Sequence, residues 1–249
     1  MQTIFRPLLF VLLIGSFTAC RRESAEYRQK EAERAQRLTS ELAKKVEKVS
    51  EETKKMRDEL ERSDAALARA IPEYKSYHEK LINGSRQIDQ LVELIGAKRY
   101  SEIAAVAFDG FTKSSSLGMQ FFTKGTEQLR ASIKLIDEKK YSEVNQSNNK
   151  AQYYQALAGV AGAQEGVFLA IYKTLLLNSP ATERLALFEQ AAKVCSSIER
   201  PGAGLALANA LREAYKEESS PENRPRMEQW LHQYNIPQST DTPVPSKMP

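Results

Sequence analysis

A ten-residue segment occurs twice in the chain, and its spacing is the feature that most constrains the fold. Residues 94–103, LIGAKRYSEI, recur as residues 135–144, LIDEKKYSEV, at an offset of 41 positions. The same offset relates apolar residues upstream of the segment: Ile88 with Leu129 and Val92 with Ile133. A period of this size is typical of helical hairpins that bury their apolar faces against each other. We therefore predict two repeat units, 85–125 and 126–166.

Each copy of the segment has the composition of a turn between two helices. The predicted elbow residues are Tyr100, Ser101 and Glu102 in the first unit, and Tyr141, Ser142 and Glu143 in the second. The serines are expected to be N-caps, because a hydroxyl oxygen accepts a hydrogen bond from a free backbone N–H group. The glutamates then occupy the positive first turn of the helix, and the tyrosines pack inside the elbow.

These elbows resemble the tetratricopeptide hairpin, in which a Tyr-x-Glu segment joins helix A to helix B. The resemblance covers the elbow of both units, but the period here is 41 residues and the family's is 34. It implies a concave helical surface that binds a protein or a peptide. A plain antiparallel bundle that arose by duplication is the alternative interpretation.

The rest of the chain also favours helices. Its composition is rich in Ala, Glu, Lys, Gln, Leu and Arg, which are strong helix formers. We find no stretch in which apolar β-branched residues alternate with polar ones, as they do in a strand. The predicted class is all-α, with a long charged N-terminal helix followed by helical hairpins.

The long charged helix is predicted over residues 22–70. No Gly or Pro lies between Arg21 and Ile71, and acid-to-base pairs recur at i,i+4. A thin apolar seam follows steps of three and four. Fully extended, the helix would be a spacer of roughly 70 Å. The alternatives are a helix folded back along the bundle and a weak coiled coil that makes a homo-oligomer through residues 22–70.

A signal sequence is predicted before Cys20. Arg6 is followed by an apolar run of about eleven residues, shorter than the ~20 that span a bilayer, and then by Phe17-Thr-Ala-Cys20. This resembles the lipobox of bacterial lipoproteins, although the family usually has Leu in place of Phe17. Plain secretion and an uncleaved anchor are the alternatives.

The resemblance implies that residues 1–19 are removed and that Cys20 carries a covalent lipid, the only prosthetic group we expect. The protein would be anchored in the bacterial cell envelope. Because Arg21 stands where Asp would retain it in the inner membrane, the outer membrane facing the periplasm is expected in a diderm source.

The predicted organisation has five parts: a signal peptide at 1–19, a charged stalk at 20–71, a helical-hairpin domain at 72–218, a linker and short helix at 219–236, and a disordered tail at 237–249. The tail is rich in Pro, Ser and Thr. Without residues 1–19 the chain has 35 basic and 32 acidic residues. This balance does not favour a nucleic-acid partner.

No catalytic or metal-binding motif is apparent. His78 and His232 are far apart in sequence, so no metal site is expected. Cys195 has no partner besides Cys20 and is expected to be a buried apolar residue. Glu165 lies among Gly and apolar residues, and it is the sole candidate for an enzyme that acts on an envelope polymer. An interior Glu is more often half of an ion pair.

The leading hypothesis is therefore a membrane-anchored adaptor, not an enzyme, that binds a protein or peptide. Candidate partner-binding residues are Lys113, Gln155 and Trp230, and Trp230 could equally cap the end of the fold. The alternative is a structural spacer of the envelope that works through the long helix.

Overall fold

Seven helices make up the secondary structure that the computed structural model describes. The described residues are 25–45, 48–49, 51, 54–55, 58, 71–97 and 99–236. These ranges contain no strand, which confirms the predicted all-α class. The predicted signal peptide, Cys20 and the C-terminal tail lie outside the described residues.

The helices are α1 (described at 25–45, 48–49, 51, 54–55 and 58), α2 (Tyr74–Gly96), α3 (Tyr100–Asp137), α4 (Tyr141–Asn178), α5 (Ala181–Cys195), α6 (Pro201–Glu217) and α7 (Asn223–Gln233). Pro180 and Pro201 stand at the N-termini of α5 and α6. A proline is tolerated there because its missing N–H would have no partner inside the helix.

Two helices of equal length begin within the two copies of the repeated segment. α3 begins at Tyr100 and α4 begins at Tyr141, and each has 38 residues. They form one antiparallel hairpin, in which Gly110 faces Phe168 and Gly125 faces Tyr154. α3 continues through residue 125, so the predicted boundary between the two repeat units lies inside a helix.

The elbow predictions are correct in part. Glu102 and Glu143 do lie in the first turns of α3 and α4. The predicted N-caps, Ser101 and Ser142, are wrong, because each helix already begins one residue earlier and its capping position is a basic residue without a side-chain hydrogen bond.

The two elbow tyrosines differ in environment. Tyr100 packs against the core, and its hydroxyl lies 3.3 Å from Oγ1 of Thr39 in α1. Tyr141 is 64% exposed. The expected elbow packing is therefore wrong for Tyr141, because no helix of the described structure covers the second elbow as α1 covers the first.

α4 lies at the centre and packs against α2, α3, α5 and α6. Its close contacts depend on glycines: a Cβ at Gly110 would lie 2.4 Å from the Phe168 ring, and one at Gly84 would lie 2.5 Å from Oε1 of Gln164. α2 runs through Gly84 without a break. In the described part of the chain, α4 alone has the length and apolar composition to cross a membrane, and 56% of its most apolar window is buried inside the bundle.

α1 is folded back along the bundle over its described residues. Leu38, Leu42 and Val49 are buried in the same core as the other helices. A groove between α1 and residues 162–171 of α4 is lined on the α1 side by Lys45, Lys48, Val49 and Lys55. These residues therefore do not form the extended stalk, which was one of the predicted alternatives.

A buried cluster of four charged residues, Glu31, Arg34, Arg184 and Glu218, fastens α1 to α5 and to the end of α6. The guanidinium of Arg184 contacts both carboxylates, at 2.9 Å to Glu31 and 3.0 Å to Glu218. Arg34 lies 2.8 Å from Glu31 and donates a hydrogen bond to the carbonyl of Glu217. We call this group the Arg184 cluster.

The charges of the Arg184 cluster are balanced although the groups are buried. Glu218 has a fully buried side chain, and that of Arg184 is 3% exposed. Burial acts to raise the pKa of Glu218, but hydrogen bonds from Arg184 and from the N–H of Ser220 outweigh it and leave the pKa lowered. Burial acts to lower the pKa of Arg184, whereas its two carboxylate partners leave it raised.

The C-terminal helix closes the end of the bundle. Met227 and Leu231 of α7 are buried, and Trp230 packs against α5. The predicted linker is tied to the core where it meets α7, since the side chain of Asn223, the first residue of α7, donates a hydrogen bond to the carbonyl of Ala181 at 2.7 Å.

Candidate functional site

The three predicted partner-binding residues lie in different surroundings. Lys113 is exposed on α3, with its Nζ 2.7 Å from a carboxylate oxygen of Asp109. Gln155 is exposed on α4. Trp230 is half-buried and stacks on Phe188 with 6.3 Å between the ring centroids. The structure does not bring the three together, and the contact of Trp230 is the one expected of a residue that caps the fold.

Glu165, the candidate acid, is half of an ion pair. Its Oε2 lies 2.9 Å from Nη1 of Arg200, and the glutamate side chain is 12% exposed. The guanidinium of Arg200 lies over Gly118 and Gly162, within 3.3 Å of the place where each Cβ would stand. Small residues on α3 and α4 therefore make room for the arginine that neutralises this carboxylate.

The other reactive side chains have structural contacts. Cys195 is buried, and burial raises the pKa of its thiol. His78 stacks on Tyr74 with 5.3 Å between ring centroids. Within the described residues there is no group of three His, Cys, Asp or Glu side chains that could hold a metal ion.

The far end of the α3–α4 hairpin extends beyond the other described helices and is the surface that sequence reasoning missed. α2 begins beside Phe121 and Tyr154, because the ring of Tyr77 contacts both. From Lys124 to Asp137, α3 continues for roughly 20 Å past this level. We call residues 122–151 the hairpin tip.

Mostly small side chains fill the interior of the hairpin tip. Its buried positions are Gly125, Ser132, Val144, Ser147 and Ala151. The Ser147 hydroxyl donates a 2.7 Å hydrogen bond to the carbonyl of Gln128 on the facing helix. Helices with small residues at their contact approach closely, so the larger apolar side chains of this part of α3 are left outside.

Four of those α3 side chains, with Tyr141 at the start of α4, form an exposed apolar stripe. Its members, with the exposed fraction of each, are Phe122 (62%), Leu129 (41%), Ile133 (61%), Ile136 (47%) and Tyr141 (64%). With Thr126 added, the α3 positions follow steps of four, three, four and three, which place them on one face of the helix. We call this surface the tip stripe.

Charges of both signs border the tip stripe. Glu127, Arg130, Lys134 and Asp137 lie on the same stretch of α3 and are balanced. At the turn, Lys140 lies 2.8 Å from Glu138, and this hydrogen bond lowers the pKa of the Glu138 carboxyl. The hairpin tip as a whole has six basic and four acidic residues, a net charge of +2. This small excess does not by itself favour a polyanion or an anionic membrane surface.

The repeat explains why the tip stripe was not predicted. Ile88 of the first unit is fully buried, whereas its counterpart Leu129 is 41% exposed. The two repeat units have the same apolar pattern, and the pattern alone does not indicate whether another helix covers that face. The sequence did contain a usable signal. This part of α3 has small residues on one face and large apolar residues on another, and helices that contact each other through the small face leave the large residues outside.

Comparisons with models of known protein families, with curated proteins and with solved structures found no match to this chain.

Proposed function

We propose that the chain is a lipid-anchored, extracytoplasmic adaptor that binds a helix of a partner protein through the tip stripe. The observation that carries this proposal is the exposure of four large apolar side chains along one face of α3 in the hairpin tip, together with that of Tyr141 at the start of α4. Exposed apolar patches on otherwise polar surfaces mark interaction sites.

The spacing of the tip stripe favours a helical partner. Side chains at steps of three and four along about 21 Å of helix match the anchors of an amphipathic helix laid beside it. Phe122 and Tyr141 stand at its two ends and provide the aromatic groups that dominate binding energy at many interfaces. The rim charges, which are of both signs, would then set the register of the partner helix.

The directions of the helices support the combination of an anchor and a binding tip. α1 begins next to the Arg184 cluster, near the C-terminal end of α4, while the hairpin tip lies at the N-terminal end of α4. Only four residues, 21–24, lie between Cys20 and the first described residue of α1. An anchor at Cys20 would hold one end of the bundle at the membrane and leave the tip roughly 57 Å away, the length of α4.

The spacer alternative depends on a long helix that is free of the bundle. Residues such as Leu38 and Leu42 instead lie in the core, so the described part of α1 adds little to the reach of the protein. The enzyme alternative relied on Glu165, whose carboxylate is paired with Arg200.

The test is photo-crosslinking in cells of the source organism. A photoreactive residue at position 133 is compared with one at Leu205, which is a similarly exposed leucine on α6 (59%) and serves as the matched control. We expect position 133 to capture one discrete protein, position 205 not to capture it, and Cys20→Ser to abolish the capture.

The complementary variants are Ile133→Asp and Leu205→Asp. The first should remove the partner from affinity-purified complexes and leave the melting temperature unchanged, whereas the second should change neither. The proposal is refuted if both positions capture the same proteins, or if Ile133→Asp co-purifies with the same partners as the unmodified chain.

A further inference from the structure

A polar pocket lies between α2 and α3, on a part of the surface distinct from the tip stripe. Its volume is about 680 Å³, within the range of small-molecule sites. The lining residues used below are Lys80, Gly84, Arg86, Gln87, Lys113 and Gln164. It includes Lys113, the sequence-predicted partner-binding residue, but not the other two candidates.

Gln164 of α4 is held in one orientation at the floor of this pocket. Its Nε2 donates to the carbonyl of Leu81 at 2.7 Å and lies 3.2 Å from the Ser85 hydroxyl. A carbonyl oxygen can only accept, so the amide nitrogen must face Leu81, and the amide oxygen is directed elsewhere. That oxygen, on a side chain with no exposure, has no hydrogen-bond partner.

The absence of a side chain at Gly84 leaves room for this arrangement. A Cβ there would lie 2.5 Å from Oε1 of Gln164 and 2.9 Å from its Cδ. Gly84 lies inside α2, where glycine costs roughly 0.5–1 kcal/mol relative to alanine. The helix therefore includes an unfavourable residue at the point where the acceptor of Gln164 adjoins the pocket.

Basic residues line the pocket, and none of the described residues that line it is acidic. Lys113 is paired with Asp109, which also accepts a hydrogen bond from Gln87 at 2.8 Å. Arg86 donates to the neutral Asn83 at 3.0 Å, and Lys80 lies over the Tyr77 ring, 5.8 Å from its centroid. Lys80 and Arg86 thus have no carboxylate partner among the residues that the structure describes.

From these observations we infer that the pocket binds a small carboxylate-bearing ligand that also has an N–H or O–H donor. The donor satisfies Oε1 of Gln164, whose unpaired state in a buried site is costly. The carboxylate pairs with Arg86 and Lys80, since guanidinium and carboxylate form strong charge-assisted hydrogen bonds. Uncharged amides and hydroxyls around the wall suit the other polar groups of a peptide terminus or of an acidic sugar.

The experiment is isothermal titration calorimetry with paired probes. One pair is N-acetyl-alanyl-alanine and its C-terminal amide, and the other is glucuronic acid and glucose. We expect one of the two acids to bind at least about tenfold more tightly than its uncharged counterpart, because a charge-assisted hydrogen bond contributes that much. The pair that shows the difference identifies the source of the carboxylate.

Two variants test the assigned contacts. Arg86→Gln should abolish the preference for the acid, whereas Lys216→Gln, a change at an exposed lysine of α6, should leave it intact. Gln164→Met should weaken both members of the pair equally and retain the preference, because it removes the acceptor but not the cations. A thermal melt of each variant separates lost binding from lost fold.

Two results would overturn the inference: neither acid binds below about 10 mM, or Arg86→Gln binds acid and neutral probe as the unmodified chain does. The measurement is independent of the proposed adaptor role, because Ile133→Asp alters the hairpin tip and should leave binding in the pocket unchanged.

Discussion

Replacing Glu218 by glutamine removes one negative charge from the Arg184 cluster without changing the size of the side chain. In the intact cluster Glu218 accepts from Nε and Nη2 of Arg184, at 3.1 and 3.0 Å, and from the N–H of Ser220 at 2.8 Å. Arg34 lies 3.9 Å away. The variant leaves two buried arginines with one carboxylate, Glu31.

The expected loss follows from burial. Removing one partner of a buried ion pair costs about 3–5 kcal/mol, because the other charge stays buried without compensation. Here Glu31 remains bidentate to Arg184, so the lower end, about 3 kcal/mol, applies. For a chain of this size, about 2–4 °C of melting temperature is lost per kcal/mol, which gives a drop of about 6–12 °C.

Thermal unfolding followed by circular dichroism at 222 nm, at pH 7, measures this drop. Glu217→Gln is the matched control, since the neighbouring side chain is exposed and its loss should shift stability by less than about 0.5 kcal/mol. Equal melting temperatures for the two variants would refute the assignment of the Arg184 cluster as the fastening of α1.

The difference in stability between the unmodified chain and Glu218→Gln should also depend on pH. The folded-state pKa of Glu218 is lowered, so its contribution is fully present above the unfolded value of about 4.3 and is lost as the pH falls through the folded value. The stability difference between the unmodified chain and Glu218→Gln should therefore shrink below about pH 4. A difference that stays constant from pH 7 to pH 3 would contradict the lowered pKa.

Two further predictions concern packing and the thiol. Gly110→Ala should destabilise the fold by about 1–3 kcal/mol, because the new methyl group meets the Phe168 ring. Gly159→Ala has nothing within 4 Å of its new Cβ and should stabilise the fold by about 0.5–1 kcal/mol. Urea denaturation measures both changes in unfolding free energy, and changes of the same sign would contradict the close approach of Gly110 to Phe168. In the Cys20→Ser variant, the Cys195 thiol should react with a disulfide reagent at pH 8 only after unfolding, because burial raises its pKa. Rapid labelling of the folded protein would contradict this and show that the surroundings of Cys195 open in the native state.

The all-α class could be predicted, and the starts of α3 and α4 could be predicted to within about two residues, because they depend on local sequence. Helix-forming residues and the 41-residue offset between Tyr100 and Tyr141 act over neighbouring positions, and they determine where helices begin. The interior of α3 was harder to predict. Gly118 and Gly125 lie in it without breaking it, because packing against α4 outweighs the helix propensity of two residues.

The long-range contacts had no local signal. Arg184 meets Glu31 across 153 positions, and nothing in either neighbourhood distinguishes them from solvated charges. The fold-back of α1 was left open for the same reason, since Leu38 and Leu42 suit both a coiled coil and a bundle. For the pocket, Lys113 was proposed from sequence, but Gln164 became visible only through its unpaired oxygen and the missing side chain at Gly84.

The position of the Arg184 cluster has a mechanical consequence. In the proposed arrangement, with the lipid on Cys20 held in a membrane and the hairpin tip held by a partner, tension enters the fold at the first turns of α1. Glu31 and Arg34 are the first charged residues of α1 that are bound to other helices, so the load would pass through them to α5 and then to α4. The Arg184 cluster would thus act as the joint that transmits force between the membrane and the bound protein, and the force needed to detach α1 would depend on its ion pairs.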